Sequence, residues 1–549
     1  TAPDWHAQVL PAEERPTLVL FDGWSSFFRD RVVPWRIGMA VKTREHFETE
    51  VLARHIEAQR WYAAKGEPVQ RARLADWVLW DAGQASCMVA ILEVAGGTES
   101  ATYFAPLSLA WEDREEERVR ALGPAVIANA RQQARIGVIA DALGDEAFCR
   151  AVVEAIGAGR EIATAQGKLH FTPTSAFATL AGEDYKSLPV GRPQAQSSNT
   201  VVTLGERLFL KGYRRIRPGV NPEFEIGRFL TERAGFANCV PVAGAIEYVA
   251  ADGTPMTLAL LQSYVSNQGD GWNYTLEYLE RFFNQHRAAA GPPAADAHGA
   301  YIALIQVLAQ RTGELHRALA GSTGDPAFDP EPITQEDLVA WKQRVRDEAG
   351  ATLDSLEKNL QQLVLPAREA AAALLAQRKQ LAAHIDSCAP GPGAGLKTRY
   401  HGDFHLGQVL LAKNDFRIID FEGEPGRSLA ERRAKHSPLR DVAGMLRSFD
   451  YARWTSLRAA TQSPQEQDRL AALARDWRDA TRRAFLAAYA EAVKGTGLYG
   501  SFDAMRPLLE LFEIEKAFYE LRYEINNRPG WVHVPLLGIR ELTGPARGA

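Results

Sequence analysis

Cysteine is scarce. Cys87, Cys149, Cys239 and Cys388 are the only four in 549 residues, widely scattered and with no CxxC pair. That excludes a disulfide framework or a CxxC redox motif and reads as reduced structural thiols in a cytosolic protein. Long apolar runs are lacking too: nothing approaches the ~18–20 residues of a membrane span, and no signal-peptide pattern opens the chain. Charge of one sign is also missing. Lys and Arg number 63 against 68 Asp and Glu, a net charge of −5 spread along the sequence, which excludes an electrostatic footprint for nucleic acid or an anionic membrane. Repeats and low-complexity tracts are absent. The first residue is Thr rather than Met, so the chain is expected to be cut from something longer.

What is present is the composition of an ordinary globular protein, 46% hydrophobic and 24% charged, with length enough for about two to four structural units. Residues 1–42 mix prolines with the strand-like stretch Thr17–Phe21 and read as a linker or the tail of a preceding domain. Phe47, Val51, Leu52 and Ile56 recur at helical spacing. Strand candidates follow at Trp77–Trp80, Ser86–Val94 and Ala101–Leu107, so residues 43–125 read as an α+β cap. Two short helical stretches are expected near Pro124–Arg131 and Asp145–Ile156. Thr200–Leu204 and Arg207–Leu210 flank a Gly205-Glu206 turn and predict a hairpin. A further strand pair surrounds Asp252-Gly253. Residues 126–265 are thus an intermediate region and a β-rich lobe. Residues 266–549 read as almost wholly helical, apart from a Gly/Pro loop and a strand–turn–strand at Gln408–Phe421. A small β lobe before a large helical lobe is the order of a bilobal, protein-kinase-like α+β fold.

The segment His401-Gly402-Asp403-Phe404-His405-Leu406-Gly407-Gln408 carries the strongest chemical signal. Phosphoryl transfer needs a carboxylate to accept the proton of the attacking hydroxyl, and one or two Mg²⁺ ions on the ATP phosphates. Asp403 is the candidate base. Gln408, five residues on, offers an amide oxygen, and the following hairpin returns Asp420 as a second hard oxygen ligand. His401 and His405 at i, i+4 suggest a zinc pair, but Gly402-Asp403 disfavours a helix there and no third ligand lies nearby; both are assigned instead to the acceptor site beside Asp403.

Upstream, Lys211 at the end of the predicted strand is the candidate phosphate-gripping lysine, with Glu225 on the next helical segment as its partner and Glu223 as a competitor. Ser197, Ser198 and Asn199 precede the hairpin where a phosphate loop belongs. They carry no GxGxxG pattern, yet small polar residues admit backbone N–H groups to phosphate. Gln262 and Tyr264, joining the lobes, are placed at adenine. Near the C-terminus, Lys516, Tyr519, Glu520, Tyr523 and Asn527 form one helical stripe beside the apolar stripe Leu511, Ile514, Phe518, Leu521 and Ile525. Aromatics interleaved with charges and amides suit a sugar; a solvated flank of i, i+4 ion pairs is the alternative.

Several segments together resemble the maltokinases: QRWYAAKG (59–66), SSNTVVTLGERLFLKGYRRIRPGVNPEFEIGRFL (197–230), LLQSYVSNQGDGW (260–272), RTGELHRAL (311–319), HGDFHLGQVLL (401–411), residues 418–452, and EKAFYELRYEINNRPGW. The opening stretch is similar to the region joining trehalose synthase to maltokinase in natural fusions. The resemblance implies a fold related to aminoglycoside phosphotransferases with an N-terminal cap, ATP and Mg²⁺ as cofactors, and maltose phosphorylated at its anomeric hydroxyl on a route from trehalose to α-glucan. It also implies Asp403 as base, Gln408 and Asp420 as Mg²⁺ ligands, Lys211 on ATP and the 516–527 stripe on maltose. Two other readings stand beside it: a kinase of another sugar, an amino sugar or an amino alcohol, and a partner module docking a trehalose synthase domain or subunit.

Overall fold

The computed structural model describes residues 14–28, 34–62, 67–82, 85–96, 99–193, 199–287, 293–294, 296–388, 390–391, 395–461 and 464–543. The chain divides into two compact units, residues 1–228 with 241–265, and residues 229–240 with 266–549.

The first unit holds two seven-stranded sheets. One is built from β1 (Thr17–Val19), β2 (Arg71–Ala82), β3 (Ala85–Gly96), β4 (Glu99–Trp111), β5 (Val126–Gln132) and β6 (Arg135–Asp141), in the order β1-β5-β6-β4-β3-β2, with β12 (Arg215–Ile216) also on β4. The other orders β7 (Glu161–Ala163), β8 (Lys168–Pro173), β13 (Val242–Val249), β14 (Pro255–Ser263), β11 (Leu208–Gly212), β10 (Thr200–Leu204) and β9 (Val190–Gly191). Helices α1 (Pro34–His46), α2 (Leu52–Glu57), α3 (Glu112–Leu122), α4 (Glu146–Gly157), α5 (Phe177–Ala181) and α6 (Pro222–Glu232) complete these elements, α6 running on into the second unit.

Strand β3 is apolar on both faces because both are covered. Met88, Ala90, Leu92 and Val94 pack with Phe47, Leu52 and Ile56. Cys87, Val89 and Ile91, pointing the other way by the two-residue period, pack with α4 and the second sheet. Thr17–Val19, inside the expected linker, is β1 and pairs in parallel with β5. Residues 126–132 correct the helical reading of Pro124–Arg131: they pair with β1 on one side and β6 on the other. Ile127, Ala128 and Ala130 are buried there, and this pairing overrides the local spacing.

The second unit is helical: α7 (Gly271–His286), α8 (Gly299–Leu319), α9 (Gln335–Asn359), α10 (Leu365–Ala376), α11 (Arg378–Ser387), α12 (Leu429–Arg433), α13 (Leu439–Ala460), α14 (Pro464–Val493), α15 (Arg506–Asn527) and α16 (His533–Thr543). Two short antiparallel pairs interrupt it, β15 (Glu331–Pro332) with β16 (Leu396–Lys397), and β17 (Val409–Ala412) with β18 (Asp415–Ile418). The β17–β18 turn places Lys413 and Asn414 at φ +54° and +60°, the two left-handed residues of a type I′ hairpin. All four cysteines are buried and unbonded. No helix among the described residues is long and apolar enough to cross a membrane.

Asp76 stitches the two sheets of the first unit together. It lies at a register shift of β2, 2% exposed, and accepts from Trp77 N (2.7 Å), Gln166 N (3.0 Å), the Tyr248 hydroxyl (2.8 Å) and the Thr164 hydroxyl. Replacing it by Ala orphans several buried donors. Asp76→Ala is expected to cost about 3 kcal/mol, since hydrogen bonds to a charged group are worth about 1.5–3 kcal/mol each and partly non-additive. Denaturant unfolding checks this; a loss below about 1 kcal/mol contradicts it.

Candidate active site

The loop 401–408 is positioned from beneath by α13. The N–H groups of His401 and Gly402 donate to the two oxygens of Asp441, at 2.7 and 2.9 Å. Asp441 is 1% exposed, and His316 Nε2 lies 3.1 Å from it. Burial alone works to raise the Asp441 pKa, but the His316 hydrogen bond and the charges around it prevail and hold it below the usual carboxylate value. His316 Nδ1 in turn meets the Tyr489 hydroxyl at 2.8 Å, and Tyr489 meets Tyr499 at 2.9 Å. Farther along the loop, Leu406 N donates to Ser448 Oγ of α13 at 3.1 Å. Helix and loop touch because residue 444 is glycine: a Cβ there would lie 2.5 Å from Phe404 O.

His401 is corrected from acceptor contact to scaffold. It is buried, its Nε2 lies 2.8 Å from Ile419 O, and its Nδ1 accepts from Asp403 N at 3.3 Å. With both ring nitrogens committed to backbone, it ties the loop to the residue before Asp420 and has no group left for a ligand. Asp420 sits at φ +65°, in the left-handed region, which aspartate enters more readily than most non-glycine residues but still at a cost. Gln408 Nε2 donates to Asp420 Oδ2 at 3.0 Å, and Ile419 N to Gln408 O at 3.0 Å. The two sequence-derived metal ligands therefore stand side by side, an amide oxygen and a carboxylate, the hard donor set that Mg²⁺ takes. His405 lies beside Asp403, its Nε2 3.9 Å from Asp403 Oδ2, while its Nδ1 accepts from Gly407 N.

Asp403 opens on a cavity of about 280 Å³ that also takes in Lys516 and Tyr519 of α15. Lys516 Nζ bridges Asp403 Oδ1 (3.3 Å) and Glu424 Oε1 (3.1 Å) and lies 4.6 Å from the centre of the Tyr519 ring. Burial acts to neutralise this ammonium, but the Asp403 and Glu424 carboxylates outweigh it and raise its pKa. Glu424 itself lies at about 2: burial pushes it up, and Lys516, Arg427 and Arg440 pull it further down. Sequence reasoning missed most of the remaining lining. Arg427 meets Glu424 at 2.7 Å and Glu515 at 3.3 Å; Arg440 meets Glu515 at 3.0 Å; Arg522 meets Glu348 at 3.2 Å; Arg344 meets Glu431 at 3.4 Å. Five cationic and five anionic side chains line the cavity, each paired with another member of the set.

The rest of the predicted sugar stripe leaves this cavity. Glu520 accepts from Arg447 at 2.7 and 3.1 Å; Tyr523 is 45% exposed, and Asn527 Nδ2 donates to Tyr523 O at the surface. The helix rises about 1.5 Å per residue, so residue 527 lies about 16 Å along the axis from Lys516, beyond the reach of a ligand held at Asp403.

In the first unit, Lys211 lies within β11, paired with Val201 and Leu260, rather than at a strand end. Its Nζ meets Glu223 Oε2 at 2.8 Å, and the Tyr213 hydroxyl donates to the same oxygen. The competing glutamate is thus the one found on the lysine. Asn221 caps this turn of α6, accepting from Glu223 N at 2.8 Å. Glu225, put first from sequence, lies two residues on and about 200° round the helix. Asn199 directly precedes β10, two residues before the partner of Lys211; Ser197 and Ser198 lie outside the described residues. Of the two residues placed at adenine, Gln262 pairs with Phe209 of β11 and Val242 of β13, and Tyr264, just past the end of β14, donates its N–H to Arg207 O at 2.8 Å.

Residues 55–145 match the maltokinase N-terminal cap domain. The chain is 28% identical over 316 residues to a glucosamine kinase of Streptacidiphilus jiangxiensis, spanning 63% of that protein and 56% of this one. It is 26% identical over 343 residues to a glucosamine kinase of Mycolicibacterium smegmatis, 75% of that chain and 62% of this one. Among solved structures, a glucosamine kinase in complex with glucosamine, ADP and inorganic phosphate superposes with a TM-score of 0.59 at 20% identity, covering 90% of this chain and 99% of the other. Fold and loop together define a kinase-like α+β protein with an N-terminal cap domain. Within that class, residues 55–145 are similar to the maltokinase cap, and the relatives matched over longer stretches are named glucosamine kinases.

The depressed Glu424 pKa fixes a pH dependence. A carboxylate with a folded-state value near 2 and an unfolded one near ~4.3 contributes stability that is complete above the unfolded value and lost as pH falls through the folded one. Glu424→Gln is therefore expected to lower the unfolding midpoint at pH 6, with the gap to wild type narrowing as pH drops from about 4.5 toward 2. A gap independent of pH contradicts the assignment.

Proposed function

We propose that the protein transfers the γ-phosphate of ATP to the anomeric hydroxyl of maltose, giving maltose 1-phosphate for α-glucan synthesis. The observation that carries this reading is Asp403, set at the floor of a charge-balanced cavity and oriented by a loop whose backbone ends on Asp441. In this reading Asp403 accepts the proton as the sugar oxygen forms its bond to the γ-phosphorus and the bond to ADP breaks. Lys211, held by Glu223, grips the nucleotide phosphates, and Asn199 borders them. Gln408 and Asp420 hold Mg²⁺, which neutralises phosphate charge when bound. Lys516 and Glu424 address sugar hydroxyls, and Tyr519 and Phe512 offer faces to its C–H groups.

An amino sugar acceptor is the second reading, favoured by the named activity of the two relatives. The cavity's pairing supports the neutral sugar instead. A protonated amine would enter a set in which each carboxylate already has a cation, and would have to displace Lys516 to gain one. A trehalose synthase domain or subunit as partner rests on the resemblance of the opening residues, of which 1–13 lie outside the described set.

Asp403→Asn keeps the shape of the loop and removes the base. With maltose and ATP it is expected to lower kcat by at least ~10², the lower end of what general base catalysis contributes, while thermal stability and ATP binding stay near wild type. Unchanged turnover in a folded variant contradicts the role.

A further inference from the structure

Away from the acceptor cavity, α11 and α15 bring together three side chains that phosphoryl transfer does not use. His384 lies in the last turn of α11, and Cys388 is the residue that caps the helix immediately after Ser387. Glu510 comes from the start of α15. His384 Nε2 lies 3.0 Å from Glu510 Oε1, and the ring nitrogen, thiol sulfur and carboxylate oxygen all lie within 4.8 Å of one another. Cys388 is buried, 2% exposed, while His384 and Glu510 are 32% and 38% exposed. The cluster is closed toward the core and open to solvent on its outer side. Burial first, and then the Glu510 charge, push the Cys388 thiol up to about 12, so without a ligand it keeps its proton.

We propose that His384, Cys388 and Glu510 bind a divalent transition metal of the zinc type, with water completing four-coordination. One nitrogen, one sulfur and one carboxylate oxygen are ligand types Zn²⁺ accepts, at about 2.0–2.3 Å; two ligands of such an ion stand at most about 4 Å apart, so modest side-chain rotation closes the present spacing. Mg²⁺ and Ca²⁺ are disfavoured, since the three side chains offer them a single hard oxygen centre. On binding, a metal–sulfur bond replaces the S–H bond and the thiol proton leaves to solvent. Metal–nitrogen and metal–oxygen bonds replace the His384–Glu510 contact, and no electron is transferred. A bound ion ties the end of α11 to α15 six residues before Lys516, which links metal occupancy to the helix that lines the acceptor cavity. Without an ion, the same residues are a surface histidine–glutamate hydrogen bond above a buried thiol.

Titration of the metal-stripped, full 549-residue chain with Co²⁺ tests the site, because cobalt reports both geometry and sulfur ligation. The expected result is one equivalent bound, with the intense d–d bands of a tetrahedral centre and a thiolate-to-cobalt charge-transfer band, displaced by one equivalent of Zn²⁺. Cys388→Ser abolishes the charge-transfer band. Glu510→Gln and the partly exposed His384→Gln each weaken binding by more than the ~10–100-fold typical of losing an outer-shell partner, which keeps the test decisive if the serine variant does not fold. A cobalt spectrum with no charge-transfer band overturns the proposal, as does a band that persists in Cys388→Ser or an affinity unmoved in the other two variants.

Discussion

The N–H groups of His401 and Gly402 and the ring of His316 all end on the carboxylate of Asp441. An ionised carboxylate taken out of water without partners costs several kcal/mol, so Asp441 stays charged only while all three donors face it. The converse holds as well. The backbone of 401–402, with Gly402 at φ +89°, keeps its shape only while the carboxylate stays in place. Asp403 inherits its direction from that bargain between buried charge and backbone, and Asp420 inherits its own through His401 and Gln408. The chain of hydroxyls from Tyr489 to Tyr499 fixes His316 from behind.

The same principle organises α15. Glu513 pairs with Arg482, Glu515 with Arg440 and Arg427, Lys516 with Asp403 and Glu424, and Glu520 with Arg447. Each sets a charge of α15 against one of opposite sign. Two of these sets face the cavity beside Asp403; the Glu513 and Glu520 sets are internal struts between α15 and its neighbours α13 and α14. A cavity whose charges are mutually neutralised before a substrate arrives favours a ligand that brings hydroxyls rather than charge. That is the physical basis for preferring a neutral sugar.

Much of this was legible in the sequence where spacing alone decides geometry. The hairpin after Gln408, the lysine preceding the Asp403 segment and the apolar stripe of α15 all follow from local periods. Legibility failed where a partner far along the chain decides. Residues 126–132 become a strand because β1 and β6 flank them, and both pairings are invisible locally. Glu223 meets Lys211 through the phase of α6, which Asn221 fixes as its cap. Asp441, Glu424, Arg427 and Arg440 look like solvated charges one at a time, and only the packing of α13 and α15 around the loop makes them a site. Of the stripe from Lys516 to Asn527, only Lys516 and Tyr519 line the cavity, because a helix face runs further than one pocket.

Phosphorus NMR of the product formed from ATP, Mg²⁺ and an equimolar mixture of maltose and glucosamine tests the central claim most directly. Phosphate on the anomeric oxygen of maltose, with glucosamine left unmodified, is the expected result. Phosphate on glucosamine with maltose untouched contradicts it.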